Sequence, residues 1–308
     1  MTRDARTIGA AGWAVYAGVC LIFGTTFLAI KVGTNAGIPP FLGAGLRFAT
    51  AGAILVLVRG GLFGSRRPTA GFIGRAAVLG LLIIGFTFAC TYWAIQHLAS
   101  GHIAQIQSSA PILVAVLAAL LLGKRLRLLH GLGLGAGFAG AVLLVGLATG
   151  YSDLAPRGAV VAVGAELFYG LGTIWYRHAF GDGTDSLQVN GFSMLSGGLF
   201  LCAVALATGQ TSFPVTAPAV GSLLYLIVFG SIGGHSMYLW LVGHTGPVFA
   251  STWLYVSPII ATMVGAVVLS EQVLAENIAG AALVILGVYL INRAEQRRPL
   301  VRRTAVRL

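Results

Sequence analysis

Charge is what this chain has least of. Only 9% of its 308 residues are Asp, Glu, Lys or Arg, and eight residues in all are acids. A soluble domain carries about 25% charged residues. So sparse a set cannot cover a water-facing surface, and a soluble globular fold is excluded. Cysteine is scarce too: Cys20, Cys90 and Cys202 each sit inside an apolar run, with no C-x-x-C spacing. That excludes a disulfide framework and a cysteine metal site, and leaves three small packing residues. Catalytic signatures are also missing. There is no HExxH, no serine in a glycine elbow, no nucleotide loop and no pair of aspartates on facing segments. His97, His102, His235 and His244 are spread near segment ends. They do not make two facing pairs at one depth, as a bis-histidine haem would need. The expectation is a chain that is not an enzyme, holds no cofactor and, lacking an ATP site, is no primary pump.

What the chain has instead is apolar length. Its residues are 57% hydrophobic, with a mean hydropathy of +0.90. A helix needs about 20 apolar residues to cross the hydrocarbon core. By that rule ten spans are predicted, near 12–32, 38–58, 73–95, 102–122, 128–147, 157–177, 187–208, 218–241, 247–269 and 275–292. Turn residues punctuate them, among them Pro39-Pro40, Gly123-Lys124, Gly181-Asp182-Gly183 and Gly246-Pro247. The expected class is an all-α membrane protein with no loop long enough for a separate domain. The first run follows Arg3 and Arg6, as a secretion signal would, but it is long enough to span. No small-x-small cleavage site follows it, so it reads as the first helix.

The net charge of +11 would suggest nucleic acid for a soluble protein. Here it is read by position, as topology, and no nucleic-acid partner is expected. With the N-terminus inside, the inner segments hold 16 of the 19 Lys and Arg. Lys31 and Arg157 fall outside, and Arg47 lies within a span. Both termini are therefore predicted to be cytoplasmic, with the lipid bilayer as solvent.

The chain also repeats itself. Trp240, His244, Pro258, Gly280 and Gly287 each lie 147 residues after Trp93, His97, Pro111, Gly133 and Gly140. Gly24 to Lys31 is echoed by Gly170 to Arg177 at a spacing of 146. Residues 1–150 and 151–308 then form two five-span repeats. Five is odd, so the second repeat must insert upside down. The charges agree: Lys124 and Arg125 follow span four, while Glu271 and Glu276 follow its echo, span nine. An inverted repeat in a chain this apolar is the sequence sign of a transporter whose site lies between its halves.

Several stretches carry a family resemblance. They are Phe23-Gly24-Thr25-Thr26-Phe27-Leu28-Ala29-Ile30-Lys31; Pro40 with Arg47-Phe48; Pro111 with Leu121-Leu122-Gly123-Lys124-Arg125-Leu126; and Pro258 with Leu269-Ser270-Glu271-Gln272-Val273. In order and in double occurrence they resemble the EamA family of the drug/metabolite transporter superfamily. The resemblance covers nearly the whole chain and implies ten helices around a central cavity, moving small organic solutes by alternating access. Export of amino acids, notably aromatic ones, is a role in this family. One departure is Lys124, where the family often has Glu; it lies in a loop and reads as serving topology.

The polar residues inside the spans are the candidates for the site. Glu166 lies nine residues into span six, about 13 Å deep and near the midplane. Arg47 is nine residues into span two and enters from the same side. An ionisable group at that depth faces a cavity or a partner, so a Glu166–Arg47 pair is one reading and a solute-facing carboxyl the other. Pro111 and Pro258 fall in mid-span, each freeing the carbonyl four residues back, Gln107 and Leu254. That shapes either a gate or only a kink. His102, Gln105 and Ser109 make one helical stripe. Thr252 and Tyr255, Phe88 and Tyr92, Glu166 and Tyr169, and His235 and Tyr238 make others on spans nine, three, six and eight. Aromatic walls suit an amphipathic or aromatic solute. Trp13, Tyr16, Trp175, Tyr176 and Trp240 are assigned instead to the interfacial belt. Gly135-Ala136-Gly137-Phe138-Ala139-Gly140 fits the dinucleotide pattern GxGxxG, but it lies inside an apolar span with no strand before it. Gly131, Gly133, Gly135 and Gly137 read as helix-packing residues. The reading is a secondary carrier of amino-acid-like solutes in the bacterial inner membrane, with no obligate protein partner. The alternative is a membrane-embedded enzyme acting on a lipid or isoprenoid.

Overall fold

The computed structural model describes residues 8–59, 68–98, 100–145, 156–180, 183–269 and 275–296. Arg3, Arg6, Arg66, Arg67, Ser270 to Val273 and the basic tail from Arg297 lie outside the described residues. So does the side chain of His102.

The described residues fold into α-helices, without strands. In chain order these are α1 (Ala10–Asn35), α2 (Pro40–Leu57), α3 (Ala70–Ile95) and α4, in two pieces (Ser100–Gln107 and Ala110–Leu122). Then come α5 (Leu128–Val145), α6 (Pro156–Ala179), α7 (Ser186–Ala207) and α8 (Ala217–Thr245). The last are α9, again in two pieces (Pro247–Ser251 and Trp253–Leu269), and α10 (Ala275–Gln296). Among the described residues, nine helices are long and apolar enough to cross a membrane; α5 is apolar over Leu128–Leu144 but shorter.

Local chemistry sets the helix ends. Gly37, at φ 88°, lets the chain leave α1, and Pro40 opens α2, where its missing N–H costs nothing. Asp185 caps α7, accepting from the backbone N–H of Leu187 and Gln188. Thr69 and Thr216 cap α3 and α8 in the same way. α3 and α8 are each interrupted by a π-helical stretch, Leu81–Phe86 and Leu226–His235.

Loop contacts define two ends of the bundle. At the Pro39 end, the Phe41 N–H donates to Gln210 Oε1 at 2.9 Å. At the Lys124 end, Arg59 pairs with the capping Asp185, and Lys124 Nζ stands 3.7 Å from Glu295 Oε1. Lys124 thus has a partner on α10, which a purely topological role did not anticipate. His130 Nε2 faces the same carboxylate at 3.8 Å, while its Nδ1 accepts from the Arg127 N–H at 3.2 Å.

Two close helix pairs hold the bundle, α2 on α7 and α5 on α10. Lipid tails are as apolar as leucine, so packing rather than water exclusion drives such contacts, and small residues let the backbones meet. A methyl group on Gly140 would stand 2.5 Å from Gly280 O, and one on Gly133 2.9 Å from Gly287 O. The GxGxxG segment is therefore a packing seam, but its face is corrected. Gly133, Gly137 and Gly140 meet α9 and α10, while Gly131 and Gly135 look into open space.

The repeat is visible in detail. Trp93 stacks on His97 with ring centres 3.9 Å apart, and Trp240 on His244 at 3.9 Å. In each pair the histidine Nδ1 meets the tryptophan carbonyl, at 2.9 and 2.8 Å.

Two expectations are revised. Tyr16 and Tyr176 are buried in the core, not at an interface. Pro111 does not interrupt a helix: the break lies at Ser108–Ser109, and Pro111 sits in the first turn of the next piece. Pro258 does lie inside a helix, with a separate break at Thr252.

Candidate functional site

A connected series of aromatic side chains runs through the middle of the bundle. Tyr169 stacks on Tyr238 at 5.8 Å and accepts a hydrogen bond from Trp253 Nε1 at 3.0 Å. Trp253 packs on Phe23 at 4.3 Å, and Phe23 meets His235 edge-on at 5.3 Å. His235 meets Phe48 at 5.6 Å; Phe48 meets Phe88 at 4.9 Å; Phe88 meets Tyr92 at 6.0 Å. These rings come from α1, α2, α3, α6, α8 and α9, three helices of each half. Offset and edge-on ring pairs at these spacings are favourable beyond the area they bury, by about 0.5–1.5 kcal/mol each. The wall is thus rigid as well as apolar.

Polar groups punctuate it. Thr173 Oγ1 and Tyr238 Oη share a hydrogen bond of 2.8 Å. Arg47 is buried at 3% exposure. Its Nε donates to Ser231 Oγ at 2.8 Å, and its guanidinium lies 4.6 Å from the Phe48 ring centre. Glu166 is 4% exposed, on the α6 turn preceding Tyr169. The Glu166–Arg47 pair does not form: the ion pairs among the described residues are Arg59–Asp185, Lys124–Glu295 and His130–Glu295. Arg47 is engaged across the bundle by α8 instead.

Of the residues singled out from sequence, Phe88, Tyr92, Tyr169, His235 and Tyr238 lie on the aromatic series, with Arg47 beside it. Gln105 is half-buried on the first piece of α4. Ser109 Oγ is spent on the Ile106 carbonyl at the helix break. Thr252 bonds Tyr16 Oη at 2.8 Å, and Tyr255 donates to Leu134 O across the α5–α9 contact, its ring against Gly137. Both stand off the series. Phe23, Phe48, Trp253, Thr173 and Ser231 were not singled out. Phe23 and Phe48 fall in the Phe23-Gly24-Thr25-Thr26 and Arg47-Phe48 stretches that carry the family pattern.

Two cavities open among the helices. One opens at the Pro39 end, between α1, α2, α3 and α8, and narrows onto Arg47 and Tyr92. The other is an apolar groove between α3, α4 and α6, lined by Leu82, Leu121, Leu122, Leu171, Ile174, Trp175 and His178. No acidic residue lines it, and no cluster of metal-binding side chains occurs among the described residues.

Many apolar spans around buried polar and aromatic groups define an integral membrane protein of the transporter class. The model of the EamA-like transporter family matches residues 10–146 and 156–293, once per half, and the chain belongs to that family. It is 28% identical to Protein PecM of Dickeya dadantii over 292 residues, covering 91% of this chain and 93% of that protein. It is 28% identical to the uncharacterized inner membrane transporter YedA of Escherichia coli K12 over 254 residues, 80% of this chain and 78% of YedA. It is 26% identical to the uncharacterized transporter YvbV of Bacillus subtilis, covering 86% and 89% of the two chains. A solved structure titled "Crystal structure of protein" superposes with a TM-score of 0.71 at 20% identity, over 90% of this chain and 94% of the other, a likeness of fold. The protein is a membrane transporter and not an enzyme, which removes the lipid-modifying alternative.

Proposed function

We propose that this transporter is a secondary carrier of small amphipathic metabolites, amino acids and aromatic ones among them. It works by alternating access across the bacterial inner membrane, with export as its direction. The observation that carries the reading is the aromatic wall drawn equally from both halves. A solute held there touches both repeats, so rocking one against the other changes which side it sees.

The architecture in this reading is ten spans, α5 included, in two inverted five-helix repeats with both termini cytoplasmic. Three observations support the inversion. The Trp93–His97 stack follows Tyr92, which lines the Pro39 cleft, whereas its echo Trp240–His244 leads to Gly246, where an added methyl would stand 3.0 Å from Lys124 Nζ. The contact of Gly140 with Gly280 becomes that of Gly287 with Gly133 when the halves are exchanged, as a two-fold axis requires. Lys and Arg are concentrated in the segments of the Lys124 end. No cofactor and no obligate protein partner enters the cycle; the driving force is a gradient of solute or protons.

Counterflow in proteoliposomes tests the substrate claim. Vesicles loaded with unlabelled phenylalanine should accumulate labelled phenylalanine transiently, and protein-free vesicles should not. If no amino acid exchanges, the substrate claim fails.

A further inference from the structure

The cleft at the Pro39 end has one charged residue among all those lining it, Arg47 at its floor. The rest are apolar or small apart from Thr34 and Tyr92. The floor lies seven residues into α2 from Pro40, about 10 Å below the helix start. The N-terminus of α2 also forms part of the mouth, and its partial positive charge favours anions.

Arg47 is built into place. Ser231 holds its Nε, and the bare backbone of Gly230 makes room for it: a methyl there would stand 2.6 Å from Arg47 Nη2. Among the described residues no carboxylate pairs with Arg47, and neither terminal nitrogen makes a protein hydrogen bond. A buried guanidinium within a span is costly and is normally paired. Here the guanidinium lines the cleft, with Nη2 beside Gly230 and its terminal nitrogens forming a fork. Such a fork matches a carboxylate bidentately.

Resting on the carrier reading above, we infer that Arg47 is the carboxylate-recognising residue of the site. The solutes taken are then carboxylates with an apolar or aromatic body, the acid on Arg47 and the body along Tyr92, Leu223 and Leu226, which line the cleft with it. The cleft has a cavity volume of only about 30 Å³. It admits water and not an amino acid in this conformation, so loading the fork requires the Pro39 end to open.

The test uses purified full-length protein and three probes of one shape: 3-phenylpropionate, its amide, and phenethylamine. Each is measured as a competitor of phenylalanine counterflow and, separately, by calorimetric binding in detergent. The acid should bind at least about tenfold tighter than the amide, as a charge-assisted bidentate contact gives, and the amine should be the weakest. Arg47→Gln should bring acid and amide level, and Arg47→Lys should keep part of the preference. Equal affinity of wild-type protein for acid and amide overturns the inference, even where phenylalanine is carried. Acid preference that survives Arg47→Gln overturns it too. Should Arg47→Gln fail to accumulate, the wild-type probe series still decides. Absence of phenylalanine flux counts against the carrier reading alone, because the calorimetric arm needs no transport.

Discussion

Glu166 poses the sharpest question at the scale of single residues. It is buried in α6, and among the described residues no ion pair reaches it. A carboxyl at such depth that is not holding a structural partner is free to serve a solute or a proton. Glu166→Gln keeps shape and hydrogen bonding and removes only the charge. The variant should accumulate like wild type, and the pH dependence of flux between about pH 5 and 8 should flatten. Normal yield with an unchanged profile would leave Glu166 no part in transport. Had the pair with Arg47 formed, the same change would instead have stranded a buried cation and cut expression.

Trp253 allows a finer test. Its indole N–H holds the Tyr169 hydroxyl, and its ring covers Phe23. Trp253→Phe keeps most of the apolar area and loses the donor. We expect affinity for phenylalanine to fall about fivefold, the worth of about 1 kcal/mol of hydrogen bond, measured by counterflow at graded concentrations. These two residues were unequally legible. A carboxyl in an apolar run announces itself by cost, so Glu166 stood out. An aromatic ring among apolar residues has no such signature. Trp253 and Phe48 are recognisable as wall only once their neighbours from other helices are known. Tyrosine is the hardest case, because a ring with a hydroxyl suits an interface, a cavity or a core. Tyr16 and Tyr176 belong to the core, and Tyr255 to a helix seam, for that reason.

At the scale of elements, the seam between α5 and α10 is one of the two close helix pairs that join the matched stretches. Its glycines are not equivalent. Gly140 lies against the Gly280 carbonyl, whereas nothing lies within 4 Å of a methyl built on Gly135. Gly140→Ala should therefore destabilise the protein by about 1–3 kcal/mol, the usual range for overpacking, and Gly135→Ala should be near neutral. Thermal unfolding in detergent, followed by helical circular dichroism, separates the two; equal effects would mean the seam is not where the close approach lies. Sequence spacing made this a packing segment, but i, i+4 spacing alone gives two candidate stripes, and only the partner helix selects between them.

The latch at the Lys124 end is a second element-scale device. Glu295 on α10 faces both Lys124 and His130. Glu295→Gln removes the charge that pairs with Lys124 and stands 3.8 Å from His130 Nε2. We expect a loss of about 1–2 kcal/mol, less than the 3–5 kcal/mol of a fully buried pair because the groups lie at the end of the bundle. Lys124→Glu should cost more, since it sets two acids side by side. The same melting assay orders the two variants, and a neutral Lys124→Glu would show that the contact carries no stability.

For the whole molecule, the proposed carrier rests on the opposite insertion of two like halves. Sequence made this unusually legible, because identities at a fixed spacing do not depend on knowing any contact. The stacked Trp–His pairs show what the spacing encodes: one local motif used twice. What spacing cannot give is the side of the membrane each end faces, which follows from charge counted over segments. In the proposed topology that count puts the Lys124 end in the cytoplasm and the Pro39 end on the other side. Two exposed positions report on the two ends: Leu126, between α4 and α5, and Ser212, between α7 and α8. With Cys20, Cys90 and Cys202 replaced by alanine, Ser212→Cys should react with a membrane-impermeant maleimide added to intact cells. Leu126→Cys should react only after the membrane is opened. Reaction of Leu126→Cys in intact cells, with Ser212→Cys protected, would reverse the orientation while leaving the repeat intact. Reaction of both would place the two loops on one side. That would overturn the inversion itself, because the two loops could not then be separated by the three crossings of α5, α6 and α7.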